Sequence, residues 1–304
     1  MTARPRLGIV IPAYQAAGTI AATLDSLLPL ARDVEGIVVS DDGSTDGTAD
    51  AARGWAEAHG MPLTVVTGVN AGPGMARDRG LDAATGDWVL FLDADDRVIA
   101  DGLERLLDAA ATAAPDLVAI AGGYQEVTAG GARRTRQPAA AETIDVARAP
   151  GRLADWIHRR GPAIHLGATL IRRDRLARPA FPESRVGEDR AALAALFLAG
   201  PVGLLPVAAL AYRLDVERQW RREAAAADDL VRAADFVAAR LLASDLDPDH
   251  AARLARAVAA DALLTAMRAC AKAGDRGRAR AFWRRALRLA PATALRWRHL
   301  RRAL

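Results

Sequence analysis

The stretch WVLFLDADDRV, Trp88–Val98, decides how this chain reads. An apolar run, Trp88–Leu92, ends in Asp93, Asp95 and Asp96, three carboxylates within four positions. Like charges this close repel, so they need full exposure to water or a cation to share. Carboxylates without histidine or cysteine form a hard, all-oxygen donor set suited to Mg2+ or Mn2+, and such a metal keeps several waters and takes phosphate oxygens from a substrate. The competing reading is local: aspartates after a strand also cap helices and shape turns.

Working outward, short β-branched runs recur at Leu7–Ile11, Gly36–Ser40 and Leu63–Val66. Amphipathic stretches of helical length lie between them at Thr19–Leu30, Asp46–His59 and Pro73–Ala84. Strand and helix in alternation predict an α/β fold, a mostly parallel sheet flanked by helices. Ligands bind such sheets beyond the carboxyl ends of the strands, and the conspicuous polar residues follow each strand: Pro12–Tyr14, Asp41–Ser44, Asn70–Gly74 and Asp93–Asp96. The pattern continues through a helix (about Gly102–Ala113) and a strand (about Leu117–Gly122). Gln125–Gly151 has little periodicity and is expected to be a variable loop or an edge hairpin. Helix, strand and helix signals return at Arg152–Arg160, Ala168–Arg172 and Glu188–Leu198.

After about Asp215 strand signals stop, and helices are expected at Gln219–Ala243, Asp249–Ala273, Arg278–Leu289 and Thr293–Arg302. Residues 1–215 are therefore read as one α/β domain. Residues 216–304 are read as an all-helical C-terminal appendage, basic from 272. The net charge of +4 hides this asymmetry. Lys272–Leu304 carries 11 basic residues and 1 acidic, against 30 basic and 36 acidic in the rest. The single Cys270 excludes an intramolecular disulfide and a cysteine-based zinc site. With no signal-peptide or membrane-spanning pattern, a cytoplasmic protein is expected, at most peripheral at the inner face of a membrane.

Three further motifs carry chemistry. In SDDGSTDGT (Ser40–Thr48), Gly43 permits a tight turn and Asp46 can cap a helix, which leaves Asp41 and Asp42 without an evident structural duty. A carboxylate there could accept the imide N–H of a uracil or thymine, or a ribose hydroxyl. In NAGPGMARDRG (Asn70–Gly80), Gly72 and Gly74 allow close backbone approach at a helix start, and Arg77 follows one turn inside, a combination suited to a diphosphate. Arg77 also occupies the place of the third glycine of a dinucleotide fingerprint, which weakens a dehydrogenase reading. Arg79 is expected to be solvated. In FPESRVGED (Phe181–Asp189), Glu188 and Asp189 open an apolar helix; favourable helix-start charges and a single ligand-facing carboxylate are both open readings.

In this order, IVIPAY (Ile9–Tyr14), VVSDDGSTDGT (Val38–Thr48), NAGPGMARDRG and FLDADD (Phe91–Asp96), extended by FPESRVGED and Tyr212-Arg213, resemble the family 2 glycosyltransferases, inverting enzymes with the GT-A fold. The resemblance covers roughly residues 5–215 and implies that residues 1–215 are a GT-A catalytic domain, with a nucleotide-binding half to about 96 and an acceptor-side half from about 97 to 215. It implies a nucleotide-sugar donor, a divalent metal, Mn2+ or Mg2+, and inversion at the anomeric carbon. Carried over position by position, it implies that Pro12, Tyr14, Asp42 and Arg77 contact the nucleotide, with Asp41, Asn70 and Gly72 around them. Asp93 and Asp95 match the metal-and-ribose carboxylates, Asp95 as the direct ligand and Asp96 beside them. Asp189 matches the general base, with Glu188 supporting it.

Two departures stand out. The family's Ala-Arg-Asn is Ala-Arg-Asp here, with Asp78 last, and the Gln-x-x-Arg-Trp signature of processive synthases is absent. A non-processive transferase is therefore expected, its acceptor a glycan, a lipid-linked sugar or a small molecule. A nucleotidyltransferase and a binding-only protein are the alternatives. The basic tail either lies on an anionic membrane or packs by its apolar face on the catalytic domain. No nucleic-acid recognition motif accompanies its charge.

Overall fold

The computed structural model describes residues 4–147, 153, 162–214 and 224–295. They form two compact units. The first comprises residues 1–145, 162–181 and 199–214, and the second 146–161, 182–198 and 215–304. Among the described residues no helix is long and apolar enough to cross a membrane.

The first unit is built on one sheet. Strands β1 (Leu7–Ala13), β2 (Val34–Asp41), β3 (Leu63–Thr67) and β4 (Trp88–Phe91) are parallel and ordered β3-β2-β1-β4. β1 and β4 are buried along their whole length, which is why they read as unbroken apolar runs rather than alternating ones. Ile9 pairs with Ile37 on one side and with Leu90 on the other. The chain thus winds outward from β1 to β3, then returns to place β4 on the opposite side of β1. That reversal leaves a crevice at the carboxyl ends of β1 and β4.

Beyond β4 the sheet is mixed. β9 (Thr169–Arg172) runs antiparallel to both β4 and β6 (Ala119–Thr128). β10 (Val202–Leu214) is parallel to β6 and antiparallel to β5 (Arg97–Val98). The weakly periodic segment after Gln125 includes an edge hairpin: β6 turns at Gly130 and Gly131 into β7 (Arg133–Arg136), and β8 (Glu142–Ile144) pairs with β10.

Helices α1 (Ile20–Asp25), α2 (Thr48–His59), α3 (Pro73–Ala83) and α4 (Ala100–Ala111) flank this sheet. α1 is shorter than its apolar pattern. The chain passes into a 3-10 turn at Leu28–Leu30, where Pro29 has no N–H to continue the helix. α4 buries Leu103, Leu106, Leu107 and Ala110, a stripe at helical spacing. α3 lies so close to β1 that a Cβ on Gly80 would sit 2.5 Å from Val10 Cγ1.

The second unit is helical in its described part: α5 (Glu188–Ala199), α6 (Ala227–Leu242), α7 (Pro248–Lys272), α8 (Arg276–Leu289) and α9 (Pro291–Ala294). Leu263, Leu264, Met267 and Cys270 of α7 share a core with Phe282 and Ala286 of α8. Asp247 and Asp275 cap α7 and α8 by accepting the N–H groups of His250 and Arg278. Contacts place α5 with these helices rather than with the sheet unit, so the grouping does not break at 215 alone. The reason is small-residue packing: a Cβ on Gly187 would lie 3.3 Å from Leu230 Cδ2 and 3.5 Å from the Ala233 Cβ. The apolar face of the basic helix α8 is covered within its own unit by α7, and Trp283 Nε1 donates to the Ala294 carbonyl. The helix expected at Arg152–Arg160 lies outside the described residues except for Leu153, as do the last residues of the one expected at Thr293–Arg302.

Candidate functional site

The loops at the carboxyl ends of β1 and β2 are tied to each other. The Gln15 N–H donates to Ser44 Oγ at 2.9 Å, Thr45 N–H to Gln15 Oε1 at 2.8 Å, and Ala16 N–H to Thr48 Oγ1 at 2.8 Å. Asp46 accepts from the Thr48 hydroxyl and the Ala17 amide, and these bonds lower its pKa. Pro12 is buried at this edge, while Tyr14 is exposed.

Asp41 and Asp42 do have structural duties, contrary to the expectation from sequence. Both are buried. Asp41 Oδ1 accepts the Ser44 N–H at 3.1 Å, closing the turn that Gly43 enters with φ of 81°. Asp42 accepts the N–H groups of Ala71 and Gly72 at 3.2 and 2.7 Å. It also receives Arg79 Nη2 at 3.1 Å. Arg79 is therefore engaged, not solvated, and it bonds Ser40 Oγ and the Asp41 carbonyl as well. The carboxylate of Asp42 shapes the Asn70–Gly72 loop that opens α3. Gly72, with φ of 99° and ψ of 166°, holds a backbone conformation open only to glycine. Asn70 is exposed on the same loop.

At the end of β4 the three aspartates separate. The Asp93 side chain is 35% exposed and accepts Arg77 Nη2 at 2.6 Å. The Arg77 guanidinium is only 4% exposed and sits 5.5 Å from the centre of the Phe181 ring. Asp95 is exposed. Asp96 turns inward: it is 1% exposed, and its Oδ1 accepts the Arg213 N–H at 2.8 Å. Burial, reinforced by Asp93, pushes the Asp96 pKa well above the ordinary carboxylate range, against the opposing effect of that N–H.

The expectation that Asp93, Asp95 and Asp96 share a cation is therefore corrected. Among the described residues no three His, Cys, Asp or Glu side chains are placed to hold a metal together. Asp96 is set apart by burial: its Oδ1 accepts the Arg213 N–H of β10, and its Oδ2 is buried without a hydrogen-bond partner among the described residues. What remains is a partly exposed and an exposed carboxylate, Asp93 and Asp95, two positions apart. That donor set fits a Mg2+ or Mn2+ that takes one or two protein oxygens and completes its shell with water and phosphate oxygens.

Asp78, the departure within the third motif, ties α3 to residues 180 and 181. Its two oxygens accept the N–H groups of Ala180 and Phe181 at 3.0 and 3.2 Å. Arg178 lies beside it, with Nη1 3.7 Å from Oδ1. Burial raises its pKa over the lowering effect of these partners. A group missed by the sequence reading is an aromatic cluster: the His165 ring lies 5.3 Å from Tyr124 and 4.8 Å from Tyr212, next to the Arg213 that bonds Asp96.

In the second unit, Glu188 and Asp189 begin α5, favourably placed for the helix dipole. Glu188 is buried and Asp189 half-buried, with Asp189 Oδ1 accepting the Arg190 N–H at 2.7 Å.

Four parallel strands with a strand-order reversal, and acidic, glycine-rich loops gathered at it, define an α/β protein of GT-A type. The profile of Glycosyl transferase family 2 matches residues 8–174, and the chain belongs to that family. Among curated relatives, the chain is 34% identical over 107 residues to the "Uncharacterized glycosyltransferase YibD" of Escherichia coli, covering 35% of this chain and 31% of that one. It is 41% identical over 108 residues to the "PGL/p-HBAD biosynthesis glycosyltransferase" of Mycobacterium bovis, covering 34% and 41%. The chain thus spans less than half the length of these relatives. Among solved structures it resembles S. aureus TarS 1–349 in complex with UDP-GlcNAc (TM-score 0.69, 19% identity, 95% of this chain and 82% of that one). It also resembles the mannosyltransferase PcManGT from Pyrobaculum calidifontis in complex with GDP-Man and Mn2+ (TM-score 0.58, 23% identity, 99% and 84%).

Proposed function

We propose that the protein is an inverting, metal-dependent glycosyltransferase. It moves one sugar from a nucleotide-diphosphate donor, a UDP-sugar first, to an acceptor hydroxyl in glycan, cell-surface polysaccharide or glycoconjugate synthesis. The observation that carries this reading is the Asp93–Asp95 pair at the carboxyl end of β4, beside β1, in a chain of this family. The donors bound by the two structural neighbours, UDP-GlcNAc and GDP-Man, support the substrate class, and the Mn2+ of one supports the metal.

Tyr14 and the Asn70–Gly72 loop border the nucleotide, with Asp41 and Asp42 acting through the loops they fix. Arg77 holds Asp93 in place, and Asp95 with Asp93 would hold the metal. A bound Mn2+ or Mg2+ would offset the charge that grows on the departing diphosphate. Asp189 takes the proton from the acceptor hydroxyl. The freed oxygen forms its bond to the anomeric carbon from the face opposite the leaving group, and the nucleoside diphosphate departs with the electrons of the broken C–O bond. Glu188 supports Asp189 at the start of α5.

The test is release of nucleoside diphosphate from UDP-, dTDP- and GDP-sugars, with Mn2+ or with chelator, followed by transfer to candidate acceptors. Selective, chelator-sensitive release from one donor is expected. Release that ignores the chelator would remove the metal from the mechanism. An Asp189→Asn variant separates the transferase from a binding-only protein: it is expected to keep donor binding and lose transfer by a factor of at least about 100, and full transfer would sink the base assignment.

A further inference from the structure

Helix α8 carries charge that its own stability argues against. Arg276, Arg280, Arg284 and Arg288 recur every four residues and are all exposed. At this spacing they form one ridge along the helix, roughly 18 Å from first to last. Arginines four apart repel each other. Arg276 and Arg280 also stand near the positive end of the helix dipole, where acidic residues are favoured; Asp275 supplies one at the N-cap, and the first turn itself holds none. Nothing acidic follows before the chain's end at Leu304. The opposite face is settled: Ala279, Phe282 and Ala286 are buried against α7. Arg278, off the ridge, pairs with Asp228 at 3.0 Å.

We infer that this arginine ridge is a docking surface for an anionic lipid bilayer, held by electrostatic adsorption and not by insertion of the helix. Insertion would require the apolar face, which is already spent on α7. Charge complementarity selects an anionic partner, and two features select a membrane over a nucleic acid. Leu289 and Leu295 are exposed at the C-terminal end of the ridge, where acyl chains at a bilayer interface can cover them. Among the described residues of this segment the aromatic rings that would stack on bases are withdrawn, with Phe282 buried and the half-buried Trp283 bonded to the Ala294 carbonyl. The inference goes beyond the transferase reading, because adsorption needs neither donor nor turnover.

The test is sedimentation of the full chain with vesicles of phosphatidylcholine alone or mixed with phosphatidylglycerol, at low and high salt. The comparison is a variant carrying Arg276→Gln, Arg280→Gln, Arg284→Gln and Arg288→Gln. Glutamine keeps helix propensity, and circular dichroism checks that the fold persists. Each arginine near an anionic surface contributes a factor of about five in partitioning, so the fourfold variant should bind phosphatidylglycerol vesicles several hundred-fold more weakly, to about a thousandfold. Binding should fall with salt and be absent on neutral vesicles. Equal sedimentation of wild type and variant, binding to neutral vesicles, or no binding at all would overturn the inference. So would displacement of the vesicles by single-stranded RNA at equal phosphate, which would assign the ridge to nucleic acid. None of these outcomes depends on sugar transfer, so this inference and the transferase reading can fail separately.

Discussion

Arg77 donates to Asp93 at 2.6 Å from inside the protein, its guanidinium almost wholly withdrawn from solvent over Phe181. An arginine so placed is a strut for the carboxylate. Sequence spacing alone suggests a hand reaching for a diphosphate, because one turn into a helix after two glycines is where such hands occur. The strut orders the loop before any ligand arrives, which lowers the entropy lost on binding.

Replacing Arg77 should therefore act on stability and on donor affinity together. Removing one partner of a fully buried ion pair costs about 3–5 kcal/mol. Because Asp93 keeps 35% exposure, an Arg77→Met change is expected to cost less, about 1–3 kcal/mol. Urea denaturation reads the stability, and titration calorimetry with UDP-sugars reads the affinity. Unchanged stability would mean that the pair contributes nothing to the fold.

Asp78 bridges α3 to residues 180 and 181 with both oxygens, and asparagine can supply only one acceptor. An Asp78→Asn variant should lose about 1–3 kcal/mol by leaving a buried N–H facing an amide N–H. The pH dependence has a definite sign. Burial raises the Asp78 pKa above its ordinary 3.8, so the folded state binds a proton there more tightly than the unfolded chain. That contribution is present below 3.8 and is lost as pH rises through the raised value. The stability difference between wild type and variant should thus shrink across that window and be flat above it. A difference that grew with pH would contradict the assignment.

How far the sequence spoke follows from which contacts are local. Strands β1 and β4 were legible because strands buried on both faces must be apolar throughout, and the loops after them were legible because parallel sheets bind at that end. Which aspartate of Asp93–Asp96 turns inward was not legible: the partner of Asp96 is an amide 117 residues later. Asp78 finds its partner 102 residues away, and Arg79 reaches Asp42 across 37. The apolar stripe of α5 announced burial without saying against what. Only the fit of Gly187 to Leu230 and Ala233 assigns it to the helical unit.

Gly72 offers a purely conformational test. Its φ of 99° with ψ of 166° is strained for any residue with a Cβ, so Gly72→Ala should cost about 1–3 kcal/mol or displace the loop that Asp42 holds. If the loop borders the donor, the variant should bind nucleotide more weakly even where its melting temperature is recovered by a stabilising solvent. Normal donor affinity with lowered stability would separate the loop from the site.

Asp95 is the position where stability and function should part most cleanly. Its side chain is exposed, so Asp95→Asn is expected to shift stability by no more than about 0.5 kcal/mol. Asparagine keeps the shape and removes the charge that a hard cation requires. Donor binding with Mn2+ should weaken strongly, while binding in chelator, already weak, should be the same for both proteins. The informative quantity is the ratio of affinities with and without metal, which should fall towards one in the variant. A ratio unchanged from wild type would move the metal away from this loop, and with it the reason for an exposed aspartate at the mouth of β4.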